Sequence, residues 1–251
     1  MKFNEKAIVL RGFNYADNDR IIRLLTENKG KSSAIAKGAR KEKSKLREAI
    51  EIITYSNFQL NSGRNMYTIS QAEIICPFFG IKNSLEGLMT ATLMCELADE
   101  FMEEGNPDRE SHDLLLRVLY MMNDRQSGWG ELELYFEVHM HILNGIFPDF
   151  YQCVNCGSTD SGNSVKLDLD NGGVLCSKCS LDRKKAQVYP MKALFILDAA
   201  SKKSMEEILS ESWEVDSLLA ARKIIAQFSS YYLGKELKSR KLFEQTIIST
   251  E

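Results

Sequence analysis

Apolar positions along this chain follow two different rhythms. Over the first 80 residues they come in short runs rich in β-branched and aromatic side chains, at 6–11, 20–26, 32–37, 49–60 and 66–75. Such runs predict strands, and Asn61-Ser62-Gly63 marks a turn between the last two. Five short strands within about 75 residues predict a small closed barrel, because closure leaves no exposed edge. The OB-fold is the common five-stranded barrel of that size. Beyond Pro77 the apolar spacing lengthens to helical periodicity. Leu85, Leu88, Met89, Thr92, Leu93, Leu97 and Phe101 share a stripe within an expected helix over 85–104. Gly105-Asn106-Pro107 breaks it, and further helices are expected over 111–122, 131–144, 192–200, 205–209 and 213–233.

Between the third and fourth of these helices sit two Cys-x-x-Cys knuckles, Cys153/Cys156 and Cys176/Cys179, separated by 19 residues. Each knuckle offers two thiolates from a tight turn, and the spacing suits a closed four-cysteine zinc site. Gly157 and Gly172-Gly173 supply turn chemistry, so the intervening segment returns as a short hairpin. Two redox dithiols, an iron–sulfur site or disulfides are the alternatives for this spacing. A closed set of four thiolates leaves no coordination position for a substrate, so the expected zinc ion is structural. The pattern therefore predicts an α+β chain. Residues 1–80 form an N-terminal five-stranded OB-fold barrel, the nucleic-acid-binding domain. Residues 81–251 form an all-α body interrupted by an inserted four-cysteine zinc hairpin at about 150–182.

Charge sharpens the picture. The net charge of −3 conceals a net of +8 over residues 1–47 and −11 over the remainder. A basic end on an acidic chain points to an anionic partner for that end. Residues 37–47 alone carry a net +5, and 29–47 contain Lys29, Lys31, Lys37, Arg40, Lys41, Lys43, Lys45 and Arg47. A flexible basic loop leaving a barrel strand suits a phosphate backbone. Arg20 and Arg23 extend the same face. A merely solvated loop is the bland reading of such a run. Phe13, Tyr15, Tyr55, Phe58 and Tyr67 interleave with these cations; Phe58 is expected in the core, while Tyr15 and Tyr67 are open between core and base stacking.

Other signals carry less. Gly30-Lys31-Ser32 resembles the end of a phosphate-binding P-loop, but position 25 is Leu where that loop needs Gly. His139 and His141 stand two apart on an expected helix and so face different ways. Glu103, Glu104, Asp108 and Glu110 read as helix-end and surface charge. No catalytic constellation is visible, and the chain is not expected to be an enzyme. Lys235, Lys238 and Arg240 form a second basic cluster, suited to phosphates or an acidic peptide; Arg183-Lys184-Lys185 is a third. Cys76 and Cys95 sit among apolar residues as buried thiols. The first residues carry no apolar run and no stretch approaches 18 apolar residues, so neither a leader nor a membrane contact is expected. Reduced thiols fit the cytoplasm.

The chain resembles the bacterial recombination mediator RecO family. The resemblance rests on Asp19-Arg20-Ile21-Ile22-Arg23-Leu24-Leu25-Thr26-Glu27, Gly30-Lys31, Ala36-Lys37-Gly38-Ala39-Arg40-Lys41 with Ser44, the four knuckle cysteines, and Leu233-Gly234-Lys235-Glu236-Leu237-Lys238-Ser239-Arg240. It implies an OB-fold, a helical body and a zinc module. It implies binding of single-stranded and double-stranded DNA, annealing of complementary strands without ATP, and nucleoid association in DNA repair by homologous recombination. It also implies loading of the recombinase onto DNA coated with single-strand binding protein, with RecR and the acidic C-terminal tail of that protein as partners. By motif the DNA role falls on Arg23, Lys37, Arg40 and Lys41. The tail calls for a cation beside an apolar hollow, with residues 235–240 as the candidate. A zinc-stabilised protein-binding adaptor and an RNA-binding OB-fold protein are the competing readings.

Overall fold

The computed structural model of the protein describes residues 1–64, 66–125, 127–159, 162–181 and 187–242. The chain divides into two compact units, one of residues 1–129 joined by those from 237 onward, the other of residues 130–236. The first three helices thus share a compact unit with the strands.

The first unit is built on five strands: β1 (Lys2–Tyr15), β2 (Asp19–Thr26), β3 (Gly30–Ala36), β4 (Tyr55–Asn61) and β5 (Tyr67–Cys76). They close in the order β1-β2-β3-β5-β4. The 14-residue β1 serves two neighbours. Lys2–Ile8 runs antiparallel to β4, and Ala7–Tyr15 antiparallel to β2. A register shift between Val9 and Arg11 lets one strand bend around the barrel. β3 and β5 pair in parallel through Ala34–Ala36 and Tyr67–Ile69, which completes the OB-fold topology. Alternation decides what fills the interior. Ala7 and Val9, Ile22 and Leu24, Ala34 and Ala36, Phe58 and Leu60, and Ile69 point inward. Phe58 is fully buried, as its sequence context predicts.

The expected strand over 49–60 begins only at Tyr55. Ala49, Ile50 and Ile53 are buried, but from turns that close the barrel end, with Ile53 at a φ of 58°. Their apolar character reads as strand, whereas it plugs a core. The helices of this unit are α1 (Phe79–Lys82), α2 (Leu85–Phe101) and α3 (Arg109–Asn123). Ser84 caps α2 by accepting from the Gly87 amide, and Asp108 caps α3 by accepting from Ser111. α2 stops three residues before the expected end. Met102 turns extended, and Glu104 then bridges to Lys31 at the start of β3.

The second unit holds α4 (Trp129–Leu143), β6 (Asp149–Cys153), β7 (Ser164–Asp168), β8 (Gly173–Leu175), β9 (Val188–Pro190), α5 (Met191–Lys202), α6 (Met205–Ser210) and α7 (Val215–Leu233). The expected zinc hairpin is present as β7–β8, but inside a four-stranded sheet ordered β6-β8-β7-β9. A buried polar chain ties α4 to α7: Arg222 Nε donates to Glu133 at 2.7 Å, and Ser229 Oγ donates to Glu137 at 2.5 Å and lies 2.8 Å from His141 Nε2. His139 Nε2 meets the Ala200 carbonyl, so the two histidines go separate ways and form no metal pair. No helix among the described residues is long and apolar enough to cross a membrane.

Candidate functional site

Residues 37–47 emerge from β3 as successive turns. They are not the free loop expected from their polarity. Ala39 is 2% exposed and joins the barrel core with Ile50, while Leu46 is packed against the same cluster. Backbone bonds from Lys41 to Gly38 and from Ser44 to Lys41 shape the turns. The turn after β1 braces their start: Asn18 O accepts from the Arg40 amide at 3.0 Å, and Asp19 Oδ1 from the Gly38 amide at 2.7 Å. With small and apolar residues turned inward, Lys37, Arg40, Lys41, Lys43, Lys45 and Arg47 are all exposed. None of the six forms an ion pair among the described residues. Beside them, Phe13 and Tyr15 at the end of β1 are 44% and 50% exposed. Arg11 lies over the Phe13 ring at 5.2 Å. Tyr55 is buried, and Tyr67 rests edge-on against Phe3 with ring centroids 5.4 Å apart.

Three further cations expected on this face sit differently. Lys31 is 7% exposed, its Nζ bonded to the Asp99 carbonyl and 3.7 Å from the Asp99 carboxylate. It is a buried partner of α2, not a surface contact, and this also disposes of the P-loop resemblance. Arg23 Nε donates to Asp99 at 3.3 Å; its Nη1 donates to Glu104 Oε2 at 2.8 Å and to Ser33 Oγ at 2.5 Å. Ser33 Oγ in turn donates to Glu104 Oε1 at 2.7 Å. Burial pushes the Glu104 carboxyl up, but the bonds from Ser33 and Arg23 outweigh it and hold the group below its ordinary value. Arg20 is half-buried against Gly12, where an added Cβ would lie 2.6 Å from Nη2. In the sequence Glu104 reads as surface charge. The break at Gly105-Asn106-Pro107 is the only local sign that this acid doubles back onto the barrel.

The sulfurs of Cys153, Cys156, Cys176 and Cys179 all lie within 4.8 Å of one another. Cys156 and Cys176 are 3.8 Å apart, close to the separation of two tetrahedral ligands each about 2.3 Å from a zinc ion. Burial raises the Cys153 thiol, yet amides of Cys176, Asn155 and Cys156 outweigh it and bring it down to about 6. At Cys156 the Ser158 amide favours the thiolate, but the neighbouring thiols prevail and push it up to about 12. A cluster whose members resist joint ionisation calls for a cation, so the donor set fits a metal held by four thiolates. Asn155 Nδ2 approaches Cys179 Sγ at 3.3 Å and orients that ligand.

The second basic cluster is divided between the units. Lys235 belongs to the end of α7, where its amide donates to Ser230 O and that of Gly234 to Tyr231 O in a Schellman cap. Lys238 is exposed, but Arg240 is 7% exposed and is no surface cation. Glu96 on α2 anchors this segment, accepting from the Ser239 amide at 2.8 Å and from the Ser239 hydroxyl. Lys238 and Arg11 border a groove of about 460 Å³ floored by Leu10, Leu85, Leu88 and Met89. Arg183, Lys184 and Lys185 lie outside the described residues.

Comparison with known proteins covers nearly the whole chain. The family model of the recombination protein O N terminus matches residues 1–78, and that of the recombination protein O C terminus matches residues 82–241. The chain is 31% identical to the DNA repair protein RecO of Alkaliphilus metalliredigens, over 94% of this chain and 95% of that one. It is 35% identical to the protein of the same name from Acetivibrio thermocellus, over 71% of each. With that from Rubrobacter xylanophilus the identity is 30% over 82% of this chain and 87% of the relative.

Proposed function

The chain belongs to the RecO family of DNA repair and recombination proteins, and from that premise we propose that it is a non-catalytic mediator that binds DNA on the basic turns of its barrel. One observation carries this reading: six exposed cations without ion pairs stand on an anchored segment beside two exposed aromatic rings. Anchoring lowers the entropy lost when a polyanion binds, and the rings offer faces on which unpaired bases stack. Single-stranded DNA is the main ligand, and double-stranded DNA binds through the same phosphate contacts. Two strands held on one cationic face are screened from each other, so complementary strands anneal without ATP and without hydrolysis. Zinc holds the four-cysteine sheet. In the cytoplasm, at the nucleoid, the protein works with RecR to load the recombinase onto coated DNA.

Titration of a fluorescent single-stranded oligomer across salt concentrations tests the reading. The log–log slope should flatten by about 2 when Lys37, Arg40 and Lys41 are replaced by Ala, at roughly 0.7 per lost phosphate contact. An annealing assay without ATP should slow in parallel. An unchanged slope sinks the assignment, and salt-insensitive binding favours the adaptor. Tighter binding to RNA of the same sequence would move the ligand to a 2′-hydroxyl-bearing strand.

The same proposal assigns the acidic tail of the single-strand binding protein to the groove bordered by Arg11 and Lys238, where cations flank apolar residues. Lys238→Glu should weaken binding of a synthetic tail peptide at least tenfold while leaving DNA binding intact. Equal peptide affinity in the variant removes the groove from consideration.

A further inference from the structure

Two acids lie against the outer face of the barrel, and they differ in one decisive respect. Asp99 is deeply placed: its side chain is 8% exposed and that of its partner Lys31 is 9% exposed. Glu104 is shallow, with its side chain 50% exposed. Its two oxygens take one donor each from adjacent strands, Oε2 from Arg23 of β2 and Oε1 from Ser33 of β3. Those residues are direct cross-strand partners. An ester phosphate also presents two free oxygens, and a guanidinium beside a hydroxyl suits it as well as a carboxylate.

The backbone at Glu104 is tied to β3, and only its half-exposed side chain has to move. Gly105 donates its amide to Lys31 O at 2.8 Å, adopts a φ of 76°, and would meet nothing within 4 Å if given a Cβ. An exposed ion pair adds little net stability, so a polyanion can replace Glu104, whereas Lys31 and Asp99 stay together. Ser33 lies four residues before Lys37, with Ile35 between them on the outward side, at most about 13 Å away at the rise of a strand. A nucleic-acid backbone lying over the basic turns therefore reaches this pair.

We propose that Arg23 and Ser33 form a phosphate subsite on the outer barrel face, closed in the free protein by Glu104 and opened when a nucleic-acid backbone displaces that carboxylate. The proposal rests on the DNA-binding reading above and adds to it a built-in competitor. Glu104 limits the footprint on bare strands, so that the basic turns engage first and the subsite second. The acid is thus a specificity element: it penalises weak or short anions, which cannot fill both places.

The test compares the wild-type chain with Glu104→Gln, Glu104→Ser, Glu104→Gln/Arg23→Ala and Lys41→Ala, titrating each with a fluorescent deoxythymidine oligomer over a range of salt. In the wild-type chain the displaced Glu104 carboxylate regains a counterion as the phosphate releases one, so both single substitutions at Glu104 should steepen the log–log slope by about 0.7. The added Arg23→Ala change should cancel that gain. If Glu104→Gln and Glu104→Ser leave the slope unchanged while Lys41→Ala flattens it, the subsite is refuted and DNA binding at the basic turns stands. If no chain in the series shows salt-dependent binding, the DNA-binding reading falls and the subsite falls with it.

Discussion

Gly30 shows how much one residue carries in this barrel. Its φ is 65°, and an added Cβ would lie 1.9 Å from the backbone oxygen of Asn106. Both the left-handed conformation and the close approach of the 102–107 segment demand glycine there. Gly30→Ala should destabilise the first unit by about 1–3 kcal/mol through backbone strain alone, measured by denaturant unfolding, and should displace Glu104 as well. Glu96 offers a second case at this scale. Burial pushes its carboxyl up, but the Ser239 hydroxyl and the amides of Ser239 and Lys238 outweigh it and hold the group below its ordinary value. A depressed carboxylate stabilises the fold above its unfolded pKa, and that stability is lost as pH falls through the folded one. The protection factor of the Ser239 amide, the free-chain exchange rate relative to its own at the same pH, should therefore hold at neutral pH and fall on acidification below the ordinary glutamate range. Unaltered protection in Glu96→Gln would show that the charge is not what anchors the segment.

At the scale of elements, the cysteine sheet and the basic turns obey the same rule: a short irregular segment needs an anchor. In the sheet the candidate anchor is the cluster of four cysteine sulfurs, beside the buried side chains of Val165, Leu167, Val174 and Leu175. Prolonged chelation or Cys153→Ser should release about one metal ion per chain and abolish the protected amides of β6–β8, read by a colorimetric chelator and by exchange. Retention of those amides without metal would mean that hydrogen bonds suffice. In the basic turns the anchor is apolar. The cysteine spacing was legible because ligand geometry tolerates few alternatives. The anchoring of residues 37–47 was not, because Ala39 is one small residue in a charged run and its burial depends on the distant barrel interior. Lys31 is buried for a related reason: alternation places it outward, but only tertiary structure brings Asp99 over it.

Across the whole chain, the split between +8 in residues 1–47 and −11 elsewhere agrees with a partner confined to the barrel. Barrel topology was legible from strand spacing, turn residues and the need to close edges. Which helices share the barrel's compact unit was not, since helical periodicity says that a segment is amphipathic and not which neighbour covers it. The first unit is completed by residues 237–242, and the Ser239–Glu96 bond spans 143 positions. That feature sets a timetable for synthesis. The barrel and its first helices leave the ribosome early, but Glu96 must wait while all of residues 130–236 are translated. At about 5–20 residues per second the wait lasts several seconds. During it the place later filled by the buried Leu237 side chain stands open, a window in which a nascent chain is open to chaperone capture.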